Sequence, residues 1–155
     1  MRRTYILLAG VLASVASIST VAGAQVGVPS ARASRAAKIG LRHTSLGNVL
    51  VNASGFTLYR FTSDARNKNA CVKISQCPST WPALSTSGKP VAGPGVKASL
   101  LSTITLPGGI KQVTYAGHPL YRYAAAEERA ETTYVGAMQF GGTWYAVNAA
   151  GNTVK

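Results

Sequence analysis

The sequence predicts an all-β domain built from one unit used twice. Three observations carry this reading. Gly55-Phe56-Thr57-Leu58-Tyr59-Arg60-Phe61 returns 62 residues later as Gly117-His118-Pro119-Leu120-Tyr121-Arg122-Tyr123. Thr80-Trp81-Pro82-Ala83-Leu84 returns 63 residues later as Thr143-Trp144-Tyr145-Ala146-Val147. Two anchors in one order at nearly one offset mark a repeated structural unit. Around them, β-branched and aromatic runs alternate with Gly, Pro and Asn turn signals.

Each copy reads as three short strands. In the first, Val49 to Val51 leads into the turn signal Asn52-Ala53-Ser54-Gly55. Phe56 to Thr62 then alternates, with Thr57, Tyr59 and Phe61 on one face and Phe56, Leu58 and Arg60 on the other. Trp81 to Leu84 begins the third strand. In the second copy the strands run from Gln112 to Ala116, His118 to Tyr123 and Gly142 to Asn148. Between the copies, Val96, Leu100, Leu101 and Ile104 fit one face of a short helix. Pro107-Gly108-Gly109 is a turn, and Ala150-Gly151-Asn152 precedes a frayed end. A three-stranded meander buries little by itself. The two units should therefore form a small sandwich or a barrel-like sheet pair around a pseudo-twofold axis.

The N-terminus reads as an export signal spanning residues 1–24. Arg2 and Arg3 supply the basic start, and a small-residue apolar stretch ends in Ala22-Gly23-Ala24, so cleavage is expected before Gln25. Ser14, Ser17, Ser19 and Thr20 make this stretch too polar for a comfortable membrane span. Removing 24 of 155 residues leaves 131, which suits one domain. Residues 25–42 read as a flexible basic leader, with Arg32, Arg35, Lys38 and Arg42 and no acid. Residues 43–155 read as one β-domain holding the two repeats, about 44–86 and 110–151.

The mature chain has 14 basic and four acidic residues, a net +10. Such a charge attracts anionic surfaces. For an exported protein these are the polymers of the cell envelope, with another exported protein as the alternative partner. No nucleic-acid partner is expected, since the basic residues form no polybasic motif and export removes the chain from nucleic acid. Cys71 and Cys77, an even count in an exported chain, predict a disulfide. Closing so short a loop is worth roughly 2 kcal/mol.

At Tyr59-Arg60-Phe61-Thr62-Ser63-Asp64 the chain carries Tyr-x-aromatic-x-x-Asp. With Leu46-Gly47-x-Val49-Leu50-Val51, the two cysteines, Trp81-Pro82-x-Leu84 and Gly141-Gly142-Thr143-Trp144-Tyr145, it resembles a bacterial secreted-repeat family. Members of that family are often labelled predicted lipoproteins. The resemblance covers roughly residues 44–151 and implies an exported, envelope-associated domain with no established activity. Two departures stand out. Leu8-Ala9-Gly10 is followed by Val11 rather than the lipid-bearing cysteine, so a soluble, unanchored mature protein is expected. The second copy has Ala126 where the motif acid would stand, with Glu127 and Glu128 next to it.

The candidate binding residues are Tyr59, Phe61, Asp64, Tyr121, Tyr123, Arg60 and Arg122. Asp64 follows a strand, where a carboxylate most often caps a turn by accepting backbone N–H bonds. Its other role would be a ligand or an acid/base group beside Tyr59. The matched aromatics Tyr59, Phe61, Tyr121 and Tyr123 read as core, or as a platform for a flat ligand. Trp81 and Trp144 read as core pillars. Arg60 and Arg122 occupy equivalent positions and read as solvated strand-face residues, or as a clamp for an anion.

The chain shows no nucleophile elbow, phosphate-cradling loop or zinc-protease helix, so no enzyme activity and no cofactor are expected. A metal or redox accessory protein is the alternative, drawing on His118, Cys71, Cys77 and Met138, with His43 at the domain's edge. A hydrolase pairing Asp64 with Glu127 is a third reading. It needs those carboxylates to face each other.

Overall fold

The structure, a computed structural model, describes residues 36–155. The expected signal and most of the leader therefore lie outside the described residues. The elements run β1 (Lys38–Thr44), β2 (Gly47–Asn52), β3 (Tyr59–Phe61), α1 (Cys77–Thr80), β4 (Ser85–Thr86), β5 (Val91–Ala92), β6 (Leu101–Thr105), β7 (Lys111–Tyr115), β8 (His118–Pro119), β9 (Ala137–Gln139), β10 (Gly142–Val147) and β11 (Thr153–Val154). Three sheets result, ordered β2-β1-β5, β11-β10-β3 with β9 also on β10, and β4-β7-β6 with β8 also on β7. They pack as in a sandwich and, among the described residues, do not close into a barrel.

Each copy opens with a hairpin. β1 pairs with β2 from Ile39↔Asn52 to Thr44↔Gly47, and β6 pairs with β7 from Leu101↔Tyr115 to Thr105↔Lys111. The second strand of each copy then crosses to the third segment of the other. β3 pairs with β10 of the second copy through Tyr59↔Ala146, Arg60↔Tyr145 and Phe61↔Trp144. In return, Tyr121 bridges Ala83, and the Arg122 and Ala124 amides donate to the carbonyls of Pro82 and Thr80. At the centre, Tyr59 and Tyr121 exchange both backbone hydrogen bonds, each 2.9 Å. A pseudo-twofold axis thus runs between two residues that the repeat makes equivalent.

Four expectations need correction. The helix expected over Val96 to Ile104 is a 3₁₀ turn at Ala98–Leu100 followed by strand β6. Ser102-Thr103-Ile104-Thr105 is β-branched in three of four positions, and a full ladder with β7 outweighs the helical spacing of the leucines. The leader expected to stay flexible through residue 42 gives Lys38–Arg42 to β1, because Ile39 and Leu41 alternate into the core. The strand expected from Trp81 is interrupted: Trp81 ends α1, Ala83 makes an isolated bridge to Tyr121, and the regular ladder of β4 begins only at Ser85. The end is not frayed: Thr153 and Val154 pair with Val147 and Ala146.

The core has two large parts. One is aliphatic, with Ile39, Leu50, Leu58, Val113, Leu120 and Val147 fully buried around Tyr115. The other is aromatic and contains the repeat's signature residues, Tyr59, Phe61, Trp81, Tyr121 and Trp144, together with Cys71 and Cys77.

Candidate functional site

The sequence-predicted aromatics are drawn into the axis. Trp81 and Trp144 stack at 4.1 Å between centroids with planes 2° apart. Phe61 of the first copy stacks on Trp144 of the second at 4.2 Å, and Tyr123 of the second packs on Trp81 of the first at 4.9 Å. Tyr59 meets Trp81 edge-on at 5.2 Å, and Tyr121 meets Trp144 edge-on at 5.1 Å. Edge-on and offset ring pairs stabilise beyond the area they bury. Tyr59, Phe61 and Tyr121 are buried and Tyr123 half-buried, so these rings form an internal pillar, not an open platform. The symmetry is imperfect at the indole nitrogens. Trp81 Nε1–H donates to Gln139 Oε1 at 2.7 Å, whereas the buried Trp144 Nε1–H has no partner among the described residues.

Asp64 follows β3 and looks both ways. Its Oδ1 accepts the Ala70 amide at 2.7 Å, which closes the loop that carries Cys71. Its Oδ2 accepts the Tyr121 hydroxyl, also at 2.7 Å, from the other copy. Burial pushes its carboxyl up to about 6, against the opposing pull of these bonds and of the Arg60 charge. Burial, with the Asp64 charge behind it, raises the Tyr121 hydroxyl as well. In the second copy the motif acid is replaced by backbone: the Tyr59 hydroxyl donates to the Glu131 carbonyl at 3.1 Å. Glu127 is exposed, its charge acts on Tyr134, and it is not among the groups acting on Asp64.

The two equivalent arginines have different surroundings. Arg122 Nη1 donates to the carbonyls of Tyr123 and Ala124, at 3.3 and 3.4 Å. Arg60 is half-buried, its Nε has no partner among the described residues, and its charge acts on Asp64 and His118. Burial lowers the affinity of both Arg60 and His118 for their protons, and Arg60 and Arg66 add to the effect on His118. Cys71 and Cys77 form a disulfide, which removes both thiolates from the metal alternative. Met138 is 84% exposed on β9. Among the described residues no group of three or more His, Cys, Asp or Glu side chains gathers where it would hold a metal.

The repeated turn glycines, Gly55 and Gly117, are each clasped by an arginine, a contact not singled out from the sequence. Gly55 and Gly117 sit in matching turns with φ +88° and +81°, where only glycine is relaxed. Asn67 N–H donates to the Gly117 carbonyl, and Ala130 N–H to that of Gly55, each at 2.8 Å. The preceding arginines, Arg66 and Arg129, lie over the same glycines. Each copy thus clasps the turn of the other. Arg66 is committed, its Nη1 donating to the Ala116 carbonyl at 3.1 Å. Arg129 instead borders an open groove of about 370 Å³ whose lining includes Lys38, Gly40, Arg42, Ser54 and Gly55. Lys38, Arg42 and Arg129 are exposed and have no hydrogen-bond or ion-pair partner among the described residues. The offset of 63 between Arg66 and Arg129 was the signal that could have revealed the clasp.

Fold and site together define a duplicated, disulfide-bonded β-domain whose copies exchange strands about an aromatic pillar. The family model described as a secreted repeat of unknown function matches residues 40–85 and 102–148, once per copy and more than half of the chain, and the chain belongs to that family. Neither the curated proteins nor the solved structures contain a match.

Proposed function

We propose that this chain is an exported, non-catalytic binding module that attaches to anionic polymers of the cell envelope. It would act soluble and unanchored after cleavage before Gln25. The observation that carries this reading is the groove's set of exposed cations, Lys38, Arg42 and Arg129, without partners among the described residues, in a chain whose expected mature form has 14 basic and four acidic residues. Unpaired surface cations attract anionic polymers over a range set by salt. The family's description as secreted supports the location. No helix among the described residues is long and apolar enough to cross a membrane.

The test is sedimentation of purified mature protein with isolated cell-envelope material across a salt series. Retention at low salt that falls steeply as salt rises is expected. Retention that ignores salt, or none at all, would overturn the reading.

A further inference from the structure

We infer that the groove between β1 and the Asn52–Gly55 turn is a binding site for a phosphodiester polymer, with Lys38, Arg42 and Arg129 as its ligating groups. The inference rests on the binding-module reading and gives it a place and a ligand class.

The floor is made by Gly40 and its partner on β2, Val51. Lys38, Gly40 and Arg42 share the outer face of β1, while Ile39 and Leu41 turn into the core. Gly40 leaves a gap between the two cations. Arg129 closes one end, with its aliphatic stem over Gly55. None of the four acidic residues lines the groove, although Glu127, Glu128 and Glu131 flank Arg129 in sequence. Guanidinium and ammonium groups of this kind bind phosphate oxygens by charge-assisted hydrogen bonds.

The spacing selects a chain over a compact ion. Lys38 and Arg42 stand four residues apart on a strand, so their Cα atoms lie about 13 Å apart. That suits repeated charges better than one phosphate. Two other polyanions are disfavoured by what the groove lacks. No aromatic residue lines it, so nucleic acid would find no stacking surface. None of the exposed large apolar residues, Leu46, Val91, Ile110 and Met138, lines it, so a lipid headgroup would bring no anchoring of its acyl chains.

The second copy shows that the groove is a specialisation. Val49 and Lys111 are equivalent, and their partners are Arg42 and Thr105. By the same register Leu101 stands where Lys38 stands. The repeat has kept the fold of this face twice, but the Lys38–Arg42 pair once, with Lys111 and Arg66 the cations of the second copy's face.

The test uses the mature protein and synthetic poly(glycerol phosphate), titrated at low salt. The triple variant Lys38→Gln, Arg42→Gln, Arg129→Gln keeps the aliphatic stems, so near-UV circular dichroism should match wild type. A control triple, Lys68→Gln, Lys73→Gln, Lys89→Gln, removes the same charge elsewhere. We expect at least tenfold weaker binding for the groove triple and less than threefold for the control. Equal losses would overturn the site in favour of diffuse charge. Failure of wild type to bind the polymer would overturn the ligand class, as would groove-dependent binding that is tighter to phosphatidylglycerol vesicles or to single-stranded DNA. Salt-sensitive attachment to isolated envelopes that the groove triple leaves intact would overturn this inference alone. Absence of that attachment in wild type would overturn the broader reading instead.

Discussion

Asp64 is where one side chain serves both copies, and its ionisation should be visible in stability. The folded carboxyl lies near 6 and the ordinary value is 3.8. The fold therefore retains a proton that the unfolded chain releases between about pH 4 and 6. Stability from the neutral carboxyl is fully present below that window and is lost as pH rises through it. His118 works in the opposite direction. Its folded form resists protonation, so its contribution grows as pH rises through the region below 6.5. The useful comparison is thus wild type against Asp64→Asn, in which only the carboxyl is removed. Urea midpoints measured from pH 4 to 8 should show wild type losing stability relative to the variant as pH increases, with the gap level above about 7. Parallel curves would refute the raised carboxyl. The sequence disclosed the motif acid and the chance that it caps a turn. It did not disclose the Tyr121 bond, because that partner lies 57 residues away and reaches Asp64 only through the exchange of strands.

At the scale of elements, the cysteine loop does more than shorten the unfolded chain. The disulfide closes Cys71 onto Cys77, where α1 begins, and both residues are buried against the aromatic pillar. Trp81 N–H then donates to the Cys77 carbonyl at 2.7 Å, so the loop sets where the Trp81–Trp144 stack forms. Loop entropy alone accounts for roughly 2 kcal/mol. The packing lost on truncation should bring Cys71→Ala, Cys77→Ala to a total cost of about 2–4 kcal/mol, with a weakened near-UV tryptophan signal. A cost under about 0.5 kcal/mol with an unchanged signal would place the loop outside the pillar's support. Elements were legible where one periodicity dominated, as at Val113 and Tyr115 on β7. They were misread where two competed. Val96, Leu100, Leu101 and Ile104 have helical spacing on a β-branched background, and β7 offers the ladder that decides it. Lys38 to Arg42 alternates like a strand, but its basic, small-residue neighbours hid that pattern.

Across the whole molecule, the duplication was legible and the exchange was not. Nothing in the offset of Tyr59 and Tyr121 says whether a copy pairs with itself or with its twin. The answer is physical. Each copy alone would keep its hairpin but would leave β3, or the strand-like run from Tyr121 to Ala124, without a neighbour, and one tryptophan without its stack. A unit of that size also buries too little apolar surface to offset its ordering entropy. Fragments 36–95 and 96–155 should therefore each be largely unfolded, and mixing them should restore the fold. Val91 and Ala92 remain with β1 in this cut, so the only ladders lost are those between copies. The measurement is near-UV circular dichroism and intrinsic fluorescence of each fragment and of an equimolar mixture, titrated to find the concentration at which they associate. Recovery of the native tryptophan signal only in the mixture is expected. A native-like signal from either fragment alone would mean that a copy can satisfy its own strands, and that the exchange is one packing among others.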